Sequence, residues 1–136
     1  MVTSMTPAPM TKDLAALAVL FMTSGATHLV RPHVFESIIP AMLPRKRELV
    51  YLSGIAELAC AAGLLHPRTR KAAGYASAAL LLAVFPANVQ MSADHTQRAV
   101  RGGGAAGASA LALATLARLP LQWPMIRTAL RAAGRL

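Results

Sequence analysis

Apolar residues fall into four long runs separated by short polar blocks: 14–30, 49–65, 72–91 and 102–117, each sixteen to twenty positions long. A seventeen-residue helix is ~25 Å long at ~1.5 Å per residue, close to the ~30 Å hydrocarbon core of a bilayer. The pattern predicts an all-α polytopic membrane protein, a single domain over residues 1–136. Four transmembrane helices are expected over about 14–31, 48–65, 71–91 and 104–124, followed by a basic amphipathic tail over about 125–136. The turn between the second and third runs, HPRTRK, is short, so those helices should be antiparallel neighbours. Residues 1–11 (MVTSMTPAPMT) read as a frayed end. A signal peptide is the rival for the first run, because Ser24-Gly25-Ala26 resembles a cleavage site. A single preceding lysine and three further runs favour a retained helix.

The connections carry their own signals. In 31–48 (RPHVFESIIPAMLPRKRE), Val34, Phe35, Ile38, Ile39, Met42 and Leu43 recur with helical period, but Pro40 and Pro44 interrupt it. This reads as an interfacial segment after helix 1, a lid over one mouth of the bundle. Residues 92–101 (SADHTQRAVR) read as a polar loop. Gly103 and Gly107 have GxxxG spacing for close helix contact, as Gly74 and Ala78 do in the third run. Pro120 and Pro124 should bend or end the fourth helix; it either stops near Trp123 or continues to Leu130, and Arg127, Arg131 and Arg135, which recur at i, i+4 and i+8, favour the earlier stop. Such a tail suits an anionic membrane surface.

Within the runs, a few polar residues stand where lipid would not tolerate them. Glu57 is near the centre of the second run, where an acidic residue costs ~2.5 to 3.5 kcal/mol on insertion scales. Ser53, Gly54 and Ala61 share its side of the helix. In the first run Phe21, Ser24, Gly25 and His28 form one small, polar stripe that should face the bundle. With Asn88, Arg118 and Gln122 these give a candidate intrabundle polar site of His28, Glu57, Asn88, Arg118 and Gln122. Pro86 and Pro120 are expected as helix kinks; Pro86 deprives the Leu82 carbonyl of its donor. Two arrangements are open for Glu57. Either it pairs with Arg118, or it is neutral and bonded to Asn88, His28 or Ser53 while Arg118 snorkels to the interface. Interhelical hydrogen bonds of ~0.6 kcal/mol each would account for the whole set without any function.

Composition narrows the partners. The chain is 55% hydrophobic and 14% charged, with mean hydropathy +0.48 and net charge +9. Because the basic residues flank apolar runs, they should meet lipid headgroups, and the lipid bilayer rather than nucleic acid is the expected partner. Counting Lys and Arg gives seven on the side of the termini against six on the other, which leans weakly to both termini being cytoplasmic. Cys60 is the single cysteine, so an intrachain disulfide is impossible, and the histidines His28, His33, His66 and His95 show no metal-ligand spacing. No metal and no resident cofactor are expected, although a bound quinone or lipid fits the polar interior.

GATHLVRPHVFESIIPAMLP, SGIAELACAAGLLHPRTRKAAG, VFPANVQM and RLPLQWPMIR, in that order, resemble the DoxX-like family of small bacterial membrane proteins. The resemblance runs from about residue 21 to 130. It implies a four-helix bundle in the bacterial inner membrane, with recurring positions at His28, Glu57, Pro86, Asn88, Arg118, Pro120 and Gln122. Better-known relatives are linked to membrane redox systems, including a subunit of a thiosulfate:quinone oxidoreductase and partners in thiol-stress complexes. A distant relative is an assembly chaperone for receptors. Since this chain has no cysteine pair and no haem-ligand pattern, the implied role is a non-catalytic accessory subunit of an oxidoreductase, or a homo-oligomer. The alternative is binding or transport of a quinone or lipid through the pocket around Glu57.

Overall fold

A computed structural model describes residues 6–37, 39, 41–104 and 106–136. Met1 to Met5, Ile38 and Pro40, on which parts of the sequence expectations rest, lie outside the described residues. The chain is all-α: α1 (Lys12–Val30), the single turn α2 (His33–Glu36), α3 (Lys46–Leu65), α4 (Arg70–Arg101) and α5 (Ala106–Ala132). Successive long helices pack side by side, α1 on α3, α3 on α4 and α4 on α5, and α5 returns to touch α1.

Each helix begins and ends for a local reason. Thr11 caps α1, its hydroxyl accepting from the Leu14 amide (3.3 Å). The Ala8 carbonyl accepts from Arg70 (2.6 Å), so residues 8–11 are tied to the bundle rather than frayed. Arg70 itself is a correction to the headgroup role expected of it. It is 5% exposed, and its guanidinium also donates to the Leu64 (2.7 Å) and Leu65 (3.1 Å) carbonyls, where the last turn of α3 lacks backbone donors.

The polar loop expected over 92–101 is helix. Nothing in SADHTQRAVR breaks a helix, and α4 continues until Gly103 and Gly104 adopt φ of 66° and 78°, with the Gly104 amide reaching back to the Ala99 carbonyl (3.0 Å). Polarity there marks a change of solvent, not the end of a helix. Because α3 and α4 share one end and differ by twelve residues, α4 runs ~18 Å past the start of α3 and carries the start of α5 with it.

α5 likewise continues through Pro120 and Pro124 to Ala132, past the earlier stop expected near Trp123. The supposed surface tail is part of the bundle: Ile126, Ala129, Ala132 and Ala133 are buried, while Arg127 and Arg131 lie on the open side. Arg131 sits 3.7 Å from Asp13 of α1, and Arg135 donates to the Tyr75 hydroxyl of α4.

Close approach depends on missing side chains at two crossings. A methyl group on Gly25 would lie 2.8 Å from the Gly54 carbonyl oxygen, and one on Gly54 would lie 2.7 Å from the His28 Cβ, so α1 and α3 meet backbone to backbone. One on Gly74 would lie 2.5 Å from the Ala129 oxygen and 2.7 Å from the Ala133 nitrogen, fixing α4 on α5. The Gly103/Gly107 pair makes no such contact: Gly103 is in the turn, and nothing lies within 4 Å of either.

The apolar core gathers at the end of the bundle that holds both termini, from Leu14, Leu17 and Phe21 of α1, Leu64 of α3, Leu81 of α4 and Ile126 of α5, among others. Outward positions such as Val19, Leu52, Ile55 and Leu82 are more than half exposed, as lipid-facing residues would be. Three helices, α1, α3 and α4, are long and apolar enough to cross a membrane. The chain is thus a small, helical, multi-pass membrane protein in contact with the lipid bilayer. The span expected over 104–124 belongs to α5, which is not one of the three among the described residues.

Replacing Gly74 with Val should destabilise the fold by about 1–3 kcal/mol or more, read as a lower unfolding temperature in detergent, because backbone atoms rather than movable side chains stand in the way. Gly107→Ala, with open space around it, should be neutral or stabilising by up to about 1 kcal/mol in the same measurement.

Candidate functional site

The other end of the bundle holds a cavity of about 250 Å³, roofed by Phe35, Ile39 and Leu43 of the first connection. The helices reach it at matching levels because α3 and α4 are antiparallel: the first three turns of α3 face the middle of α4. Leu49, Val50, Val84 and Met91 form its apolar walls, and His28, Glu57, Asn88 and Arg118 bring α1, α3, α4 and α5 to it. Pro86 and Ser53 lie on its wall as well. Four of the five expected polar residues therefore share one space. Gln122 stands behind it.

Glu57 is 4% exposed and bonds to α1. The Ser24 hydroxyl donates to its Oε1 (3.1 Å), and His28 Nδ1 lies 3.1 Å from Oε2. That Nδ1 is also 2.6 Å from the Ser24 carbonyl. A carbonyl can only accept, so Nδ1 carries a proton and its N–H points at Ser24. Consequently Glu57 Oε2, although close to the ring, has no hydrogen-bond partner among the described residues. The imidazole is held from its other side by Phe35, whose ring stacks on it with centroids 3.8 Å apart and planes 13° apart.

Of the arrangements open for Glu57, neither the ion pair with Arg118 nor a bond to Asn88 or Ser53 is formed among the described residues; His28 is the neighbour, and Ser24 is added to it. Arg118 is half-buried on the cavity wall, and no described residue gives its guanidinium an ion pair or hydrogen bond. It lies midway along α5, about twelve residues from the turn that follows α4.

Asn88 and Gln122 serve a different purpose. Both are buried; Asn88 Nδ2 donates to Gln122 Oε1 (3.2 Å), and Gln122 Nε2 donates to the Leu81 carbonyl. That carbonyl precedes the one deprived of its donor by Pro86, so the two amides clamp α5 to the turn of α4 that the proline weakens. One turn further on, the Ser92 hydroxyl donates to the Thr115 carbonyl (2.9 Å), continuing the α4–α5 seam.

Two participants were not among the expected site residues. Ser24 was placed on the inner stripe, and its i, i+4 relation to His28 is the signal that it acts with it; the stacking of Phe35 has no counterpart in the sequence pattern. Among the described residues, no group of three His, Cys, Asp or Glu side chains is arranged to hold a metal ion.

If the Asn88–Gln122 clamp joins α4 to α5, single replacements by Leu should each destabilise, and the double replacement should cost less than their sum. A double-mutant cycle should give a coupling of about 0.5 to 2 kcal/mol, and zero coupling would exclude the clamp.

No curated protein and no solved structure matches the chain. A family model described as "Domain of unknown function (DUF8561)" matches residues 17–133, from the second turn of α1 to just past the end of α5, and so includes every residue on the cavity wall. That match makes no DoxX-like assignment. Covering nearly the whole bundle, it shows that the chain belongs to the DUF8561 family.

Proposed function

We propose that this protein binds one small amphipathic molecule inside its helix bundle. The observation that carries this reading is Glu57 Oε2, an acceptor buried on the wall of a cavity of about 250 Å³ with no hydrogen-bond donor among the described residues. A buried polar group left unmet costs about 1–3 kcal/mol, more if charged, so a ligand bearing a donor is stabilised there. Leu49, Val50, Val84 and Met91 would take its apolar part. The shape is that of a ligand pocket, an apolar lining with a few convergent polar groups. A quinone or a lipid has this chemistry, and a carrier that released the molecule on either side would be a transporter.

The resemblance of RLPLQWPMIR and the other segments to the DoxX-like family favours a second, compatible reading: an accessory subunit of a quinone-linked or thiol-stress oxidoreductase. On this reading α5 is a fourth span, the membrane is the bacterial inner membrane, and both termini are cytoplasmic.

Native mass spectrometry of the full chain from mild detergent should show an added small organic mass. Ala87→Leu, which fills the cavity from α4, should lose that mass while keeping an unfolding temperature within a few degrees of the parent. Protein that is free of bound organic mass in every preparation would exclude the pocket reading. Affinity recovery of a stable oxidoreductase partner would support the second.

A further inference from the structure

The cavity holds two unmet groups of opposite kind. Glu57 Oε2, with the His28 ring 3.1 Å away, is an acceptor without a hydrogen-bond donor, and the Arg118 guanidinium is a set of donors without an acceptor, among the described residues. Glu57 and Arg118 share the wall but do not reach ion-pair distance, so whatever lies between them must accept from one and donate to the other. A neutral ether or an alkane tail does neither. An alcohol or a quinol does both but leaves the guanidinium without an anion to face.

We propose that the ligand is a fatty-acid-like monocarboxylate of about six to eight carbons, its head group lying between Glu57 and Arg118 and sharing one proton with Glu57. This rests on the pocket reading above and selects lipid-like over quinone-like occupants. The shared proton follows from charge. In a low-dielectric interior two carboxylates cannot both stay ionised side by side, and one proton between them leaves one negative charge, which Arg118 balances. The acid's O–H then donates to Glu57 Oε2, and its other oxygen accepts from the guanidinium. No covalent bond changes; the anion arrives from solution and one proton is taken up with it. His28 Nδ1 donates to the Ser24 carbonyl and lies 3.1 Å from Glu57 Oε2, so the ring stands beside the shared proton.

The groups facing Glu57 from every side fit this account. α1 brings Ser24 and His28, α5 brings Arg118, α4 brings the uncharged Asn88, and the roof brings the apolar Phe35, Ile39 and Leu43. Volume sets the scale of the chain, since 250 Å³ holds at least about eight groups of water size at ~30 Å³ each, enough for two carboxylate oxygens and six carbons or slightly more. Charge at the mouth also favours an anion. The connection over 31–48 carries Arg31, Arg45, Lys46 and Arg47 against Glu36 and Glu48, with Glu36 paired to Arg47 and Glu48 to Arg45.

Calorimetry on the full chain in non-ionic detergent, with octanoate, 1-octanol and octylamine as probes, tests the assignment. Octanoate should bind with uptake of one proton, seen as a buffer-dependent heat, and its apparent affinity should fall by up to about tenfold per unit as pH rises. Octanol and octylamine should bind at least about tenfold more weakly. Glu57→Gln, whose amide can donate in place of the shared proton, should keep octanoate binding but lose the proton uptake. Arg118→Gln should weaken octanoate roughly ten- to a hundredfold. Should that variant fail to fold, Arg118→Lys, which keeps the charge but not the fork, should give an intermediate loss. Octanol binding as tightly as octanoate, or octanoate binding without proton uptake in the parent protein, would overturn the carboxylate while leaving an amphiphile pocket in place. Failure of all three probes, with no organic mass in the purified protein, would remove both.

Discussion

A carboxylate 4% exposed between helices whose outer faces meet lipid must find its contacts on neighbouring helices, and the arrangement of the α1–α3 pair follows from that constraint. The Ser24 hydroxyl and the His28 ring reach Glu57 from α1 only because Gly25 and Gly54 let the two backbones touch. A side chain at either glycine would separate the helices and leave Glu57 buried with fewer contacts, which costs more than the hydrogen bonds it makes are worth. Phe35 then fixes the imidazole from above, tying the roof of the cavity to the group beneath it.

The bundle is consequently two structures end to end. Around the termini, Leu, Phe, Ile and Ala side chains close on one another, and Arg70 fastens the last turn of α3 and the segment before α1. Toward the first connection the helices are held by polar contacts instead, and space remains between them. Membrane helices gain little from hydrophobic association, because lipid tails are as apolar as leucine, so polar clamps and glycine crossings decide the packing. Asn88 and Gln122 serve in this way, at the level where Pro86 interrupts the ladder of α4.

The pair on the cavity wall is different in kind. Glu57 Oε2 has the His28 ring 3.1 Å away but no hydrogen-bond donor, and the Arg118 guanidinium has no acceptor among the described residues. On the proposed reading these groups are poised for an occupant that the chain does not itself contain. Their opposite character, acceptor against donors, is what narrows the chemistry of the occupant.

The all-α membrane class could be read directly from the sequence, because the length of an apolar run and the bilayer thickness are set by the same ~1.5 Å rise. The inward stripe of α1 was equally readable, since helical spacing alone puts Phe21, Ser24, Gly25 and His28 on one side. Helix ends were not. Residues 92–101 are polar yet helical, and Pro120 and Pro124 lie inside α5, because propensity and tertiary contact with the neighbouring helix decide where a helix stops, and polarity does not. Nor could the partners of Glu57 be chosen in advance. Arg118, Asn88, His28 and Ser53 were all candidates by depth, and the selection of His28, joined by Ser24, came from the Gly25–Gly54 crossing, which sets how close α1 comes. Sequence spacing fixes the face on which a side chain lies; the distance between two faces belongs to the packing of whole helices, and only the tertiary structure decides it.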